Sequence, residues 1–175
     1  EKEPAHTERR FIVIGNGAAG ITAVEELRKL DTGCCIEIIS REKTGTYNRQ
    51  ILTKCMLRKI PDRNMILYGE EWYRQRDINV SLGREVVSID PDRKQIMLDG
   101  GETRRYDRLI IASGAEPVRA EVPGRELDGI FCIHDLTEAD RIRGYIETNE
   151  IKEAVVIGGG IMGLETAGDL KQGGM

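Results

Sequence analysis

Six residues near the start of the chain, Gly15-Asn-Gly17-Ala-Ala-Gly20, constrain the fold most, because the pattern recurs. A second G-x-G-x-x-G stands at Gly158-Gly-Gly160-Ile-Met-Gly163. Each copy lies between a short apolar, β-rich run (residues 11–14 and 154–157) and a segment patterned as a helix. Each glycine is needed for its own physical reason. The first permits a tight strand-to-helix turn, the second lets the backbone approach a pyrophosphate, and the third lets the helix pack close to the strand. The helix start then offers uncapped N–H groups and a positive dipole end to the phosphates. One such string is weak evidence. Two, each in strand–turn–helix context, point to two dinucleotide sites.

The surrounding pattern fits that reading. Residues 18–30 read as a helix in which Ile21, Val24 and Leu27, with Ala23 and Leu30, share a face, while Glu25, Glu26, Arg28 and Lys29 point outward. Residues 36–40 read as a second strand, completing a βαβ unit. Residues 41–58 are polar and irregular with a helical end, and residues 70–75 read as a short helix whose Trp72 and Tyr73 belong in a core. Short strands follow at 79–82, 85–89, 95–98 and 104–106, separated by Asp90-Pro-Asp-Arg93 and Asp99-Gly-Gly101 turns. They read as an antiparallel insertion, with 85–89 the candidate to rejoin the main sheet. Residues 108–112 are a further buried strand ended by Ser113-Gly114, and residues 138–147 and 162–171 read as helices. The chain stops at Gln172-Gly-Gly-Met175, where a helix would turn into its next strand, so a second βαβ unit is begun and not completed.

The 175 residues are 39% hydrophobic and 32% charged, a globular balance. A net charge of -4 with interspersed signs speaks against a nucleic-acid partner. No apolar run approaches the roughly 18 residues of a membrane span. The first apolar run follows a polar tail, residues 1–10, and is broken by glycines, unlike a signal peptide. Cys34, Cys35, Cys55 and Cys132 form no C-x-x-C and read as reduced thiols, consistent with a cytoplasmic protein. The acidic residue expected about 20 positions beyond the glycines, at the end of the second strand, is met by Ser40, with Glu42 two residues later as the candidate ribose ligand.

Four segments together resemble the FAD/NAD(P)-dependent pyridine nucleotide-disulfide oxidoreductase superfamily. They are the first fingerprint, Tyr47-x-Arg49-x-x-Leu52-Thr53-Lys54, Tyr106-Asp107-Arg-Leu-Ile-Ile-Ala112-Ser113-Gly114, and Gly158-Gly-Gly-Ile-Met-Gly-Leu-Glu165-Thr-Ala167. The Tyr47 to Lys54 segment, and the lack of the dithiol branch's C-x-x-x-x-C, is similar to ferredoxin reductases, rubredoxin reductases and the flavoprotein part of NADH-dependent nitrite reductases. The resemblance implies an α/β fold: a Rossmann-like FAD-binding domain over 11–114 with an antiparallel β insertion, a connection and helix over 115–150, and the first βα of a Rossmann-like NAD(P)-binding domain over 151–175. It implies that Gly15, Gly17, Ala18, Ala19 and Gly20 hold the FAD pyrophosphate and Glu42 its ribose. Arg49 and Lys54 lie along the flavin, and Ser113 and Gly114 turn the chain between domains. Gly158, Gly160 and Gly163 receive NAD or NADP. Glu165 projects toward the flavin and pairs with Lys54, whose charge stabilises the reduced flavin as hydride arrives.

The implied activity is transfer of electrons from NAD(P)H through flavin to an acceptor such as a small electron-carrier protein. Two alternatives stand beside it: an NADH oxidase or thiol-disulfide reductase using Cys55, and a nucleotide-binding fragment without turnover. The family's later flavin-binding strand and interface domain do not occur in this sequence, which reads as a fragment.

Overall fold

The computed structural model describes residues 9–58 and 60–175. The expected loose tail therefore lies, apart from Arg9 and Arg10, outside the described residues, and Arg10 already begins the first strand. Two compact units emerge, one from residues 9–47 and 66–114, the other from 48–65 and 115–175. Residues 48–65, assigned from sequence to the first domain, thus pack with the second unit.

In the first unit, β1 (Arg10–Ile14) is followed by α1 (Ala18–Leu30) and β2 (Cys35–Ser40). After β3 (Thr46–Tyr47), β4 (Ile66–Tyr68) and α4 (Glu70–Gln75) comes β5 (Ile78–Leu82). Three short strands, β6 (Val86–Asp90), β7 (Gln95–Leu98) and β8 (Thr103–Arg105), precede β9 (Arg108–Ile111). The main sheet is parallel, in the order β5-β2-β1-β9. That is the doubly wound order, in which the chain winds outward in both directions from β1. Ligands of such sheets bind at the carboxyl ends of the strands, at this switch point.

The sequence pattern places the run ending at residue 82 in the antiparallel insertion and 85–89 in the main sheet; the structure reverses the two. A parallel strand needs a long crossover, and α4 lies within the one that brings β5 alongside β2. β6 instead joins β7 and β8 through tight turns, which enforce an antiparallel meander.

Strand alternation splits the apolar residues between two layers. Phe11, Val13, Ile36 and Ile38 pack with Ile21 and Val24 of α1 and with Tyr73 of α4. Ile12 and Ile39 face the other way, onto Ile96 and Leu98 of the three-stranded sheet. Leu30 departs from its expected face and is 84% exposed. It lies nine residues beyond Ile21, and at about 3.6 residues per turn that is half a revolution away. Arg28, expected to point outward, is half-buried. Its guanidinium donates to the carbonyls of Cys34 (2.8 Å), Asp77 (2.7 Å) and Arg76 (3.0 Å).

In the second unit, a 3-10 turn (Arg49–Ile51) leads into α2 (Leu52–Cys55), and α3 (Asp62–Met65) follows. α5 (Leu136–Thr148) buries Leu136, Ala139 and Ile142 along one stripe, and its start is capped by Asp135, which accepts from the Glu138 N–H at 2.9 Å. α6 (Ile161–Gln172) buries Leu170. α2 packs against both α5 and α6. The strand expected at 154–157 does not form: Val155 is 90% and Ile157 87% exposed. A strand is held by hydrogen bonds to a neighbour, and among the described residues none pairs with this run.

Candidate functional site

The first glycine turn is built into the main sheet. Gly15 leaves β1 with its N–H donating to the Ile39 carbonyl at 2.8 Å, while the Ala112 N–H, just beyond β9, donates to the Ile14 carbonyl at 2.7 Å. Gly15 has φ +107°, and a Cβ there would collide with the Ala112 carbonyl. A Cβ on Gly20 would in turn collide with the Gly15 carbonyl oxygen, so the helix rests directly on the turn. Gly17 differs from both. Nothing lies within 4 Å of a Cβ built on it, so no atom of this chain demands glycine there. Space kept clear beside a backbone is what a close-approaching pyrophosphate uses. Gly17 is also the N-cap of α1, with no side-chain cap and no acidic residue in the first turn, and Ala18 and Ala19 are exposed. The helix start is thus open to an anion.

Glu42 stands just past β2, at the same carboxyl edge of the sheet. The Ser40 hydroxyl accepts from its N–H at 3.3 Å, and the Ser40 and Glu42 carbonyls accept from Arg84 (2.9 Å) and Gly83 (3.0 Å). The loop is therefore laced to the end of β5, which fixes the backbone that carries Glu42.

Sequence reading missed a buried polar cluster at this turn. The Tyr73 hydroxyl donates to Asn16 Oδ1 at 3.0 Å, and the Thr46 hydroxyl donates to the Asn16 carbonyl at 2.8 Å. These residues stand 30 and 57 positions from Asn16, so no local spacing could have revealed them.

The second turn repeats the local geometry. Gly158 has φ +124°, Gly160 caps α6 without a side-chain partner, and a Cβ on Gly163 would collide with the Gly158 carbonyl. Glu165 on α6 and Lys54 on α2 are both exposed, and among the described residues no ion pair joins them. Arg49 donates to the His134 carbonyl at 2.9 Å. Ser113 and Gly114 are exposed, with φ +74° at Gly114. Cys55 is buried, its carbonyl bound by Arg143 at 2.9 Å, and burial pushes its thiol up from the ordinary value. A redox thiol needs the opposite, a lowered pKa and access.

Known proteins resemble this chain in sequence and in fold. The chain is 30% identical to the nitrite reductase [NAD(P)H] of Bacillus subtilis over 96% of its own length and 21% of the relative's. It is 34% identical to the rubredoxin-NAD(+) reductase of Pseudomonas putida over 90% of its length and 40% of that protein's. The solved NADH:rubredoxin oxidoreductase from Clostridium acetobutylicum superposes with a TM-score of 0.82 at 29% identity, covering 96% of this chain and 43% of that one. The chain thus spans well under half the length of these proteins. The family model for pyridine nucleotide-disulphide oxidoreductases matches residues 9–175, both glycine turns included, and the chain belongs to that family of oxidoreductases.

Proposed function

We propose that this chain is the nucleotide-binding part of an FAD-dependent NAD(P)H oxidoreductase that delivers electrons to a small carrier protein such as a rubredoxin or ferredoxin. The observation that carries the reading is the open side of Gly17, at an uncapped helix start on the switch point of a parallel sheet. Gly15, Gly17, Ala18, Ala19 and Gly20 hold the FAD pyrophosphate, and Glu42 the ribose. Gly158, Gly160 and Gly163 take the nicotinamide nucleotide. FAD, when bound, supplies the hydride acceptor. Lys54 supports the negative charge that develops there, and Arg49, Ser113 and Gly114 line the approach. The carrier-protein acceptor rests on the two relatives named for rubredoxin. Four unpaired thiols fit a cytoplasmic setting.

The test is a visible spectrum of the purified protein after FAD addition and removal of excess. Flavin bands that stay with the protein, and that Gly17→Val abolishes without unfolding it, support the reading; a full-length enzyme that stays colourless under the same treatment overturns it. In the full-length enzyme, Lys54→Met should slow flavin reduction by NADH by about 100-fold, the scale of one electrostatic donor. Unchanged reduction removes Lys54 from the chemistry.

A further inference from the structure

The Asn16 cluster is unusual for what it leaves undone. Asn16 is only 9% exposed, yet its Nδ2 is buried with no hydrogen-bond partner. Its Oδ1, by contrast, lies 3.0 Å from the Tyr73 hydroxyl and 3.1 Å from that of Thr46, and its main-chain carbonyl receives the Thr46 hydroxyl at 2.8 Å. Satisfying Asn16 does not explain this arrangement, because a buried orphan donor is itself costly. Local violations of polar pairing tend to persist where function requires the geometry.

Asn16 sits between Gly15 and Gly17, two residues without side chains. It is the first point in the turn where a side chain can anchor the backbone. Both anchors are themselves fixed. The Tyr73 ring is buried against Trp72, edge to face with centroids 5.1 Å apart. Thr46 lies in β3, paired with β4, and the neighbouring Gly45 approaches the Tyr68 carbonyl so closely that a Cβ would collide with it. The Thr46 N–H also donates to the Tyr73 hydroxyl at 3.4 Å, linking the anchors to each other.

We propose that Tyr73 and Thr46 are positioning residues for the nucleotide. They grip Asn16 so that Gly17 and the first turn of α1 are held ready for a pyrophosphate. The proposal rests on the reading of Gly15 to Gly20 as a dinucleotide site. It gives α4 and β3, which carry no part of the fingerprint, a role in cofactor affinity.

The test is FAD titration of the full-length enzyme by flavin fluorescence, well below the melting temperature, with a thermal melt of each FAD-free variant alongside. Tyr73→Phe keeps the ring and loses the hydroxyl; Thr46→Val keeps the branch and loses the hydroxyl; Thr46→Ser keeps the hydroxyl. Loss of one such hydrogen bond should weaken FAD binding about five- to tenfold in Tyr73→Phe and Thr46→Val, with Thr46→Ser within about twofold of wild type. Asn16→Ala combined with Tyr73→Phe should lose little more than the worse single variant, because both remove one contact. Affinity unchanged in Tyr73→Phe and Thr46→Val overturns the proposal, and so do losses that multiply in the double variant or that Thr46→Ser fails to rescue. A wild type that takes up no FAD overturns the dinucleotide reading and this proposal together. A wild type that binds, with variants that bind equally, overturns this one alone.

Discussion

The two glycine turns share a local shape and differ in what stands around them. Gly15 and Gly158 both take positive φ, Gly17 and Gly160 both cap a helix with extended backbone, and Gly20 and Gly163 both pack against the first glycine's carbonyl. Yet Gly15 is wedged between β2 and the end of β9, whereas nothing lies within 4 Å of a Cβ on Gly158. The strand feeding the first turn has neighbours on both sides, and the run feeding the second has none among the described residues. The turn is therefore a property of about six residues, and the socket around it a property of the sheet.

Substitutions can break that comparison. The largest effect belongs to Gly15→Ala, which combines dihedral strain with a collision against Ala112. It should cost about 4 kcal/mol, the sum of a strained φ and an overpacked contact. Gly158→Ala meets open space and should cost only about 1–2 kcal/mol, for the dihedral alone. Urea unfolding with probes in each unit measures both, and equal costs would show that the socket contributes nothing.

The feeding segments come next. Ile12 is fully buried between two sheets, so Ile12→Ala should cost about 2–4 kcal/mol by cavity formation. Ile157→Ala, at an exposed position, should stay within about 0.5 kcal/mol. A large effect at Ile157 would reveal packing that the comparison denies.

The cysteines sharpen the contrast on a smaller scale. Cys34 in the first unit and Cys55 in the second are buried, and desolvation raises both thiols. Cys35 and Cys132 are half-exposed and should react with a disulfide reagent first. Raised thiols favour the fold while neutral. That stability is complete below the unfolded thiol's pKa and fades as pH rises through the higher folded value. Unfolding monitored from neutral to alkaline pH should therefore show loss only on the alkaline side, and Cys55→Ser should leave NADH-dependent turnover of the full-length enzyme intact. Rapid labelling of Cys55 at neutral pH would contradict its burial.

Much of this could be read along the chain. α1 occupies 18–30 as its periodicity indicates, because a helix is closed by bonds four residues apart. β1, β2 and β9 follow from apolar runs bounded by turn residues, and both glycine turns from motifs whose constraints are steric and local. Glu42 was nameable from its distance past the first fingerprint, and Lys54 and Glu165 only because they belong to strings that resemble the family's.

Tertiary structure decided the rest, where the determining partner is remote. Whether 78–82 or 85–89 enters the main sheet depends on which crossover reaches β2. Whether 154–157 is a strand depends on an edge to pair with, which an apolar run cannot supply for itself. Arg28 looks like a surface charge until the carbonyls of 76 and 77 converge on it. The grip of Tyr73 and Thr46 on Asn16 joins three elements across as many as 57 residues. By itself the sequence determined the two turns and the helices they start, since those are settled by sterics and hydrogen bonds within a few residues. Strand partners and the buried polar anchors of the site were left to the folded chain, because pairing and burial are relations between segments that only folding brings together.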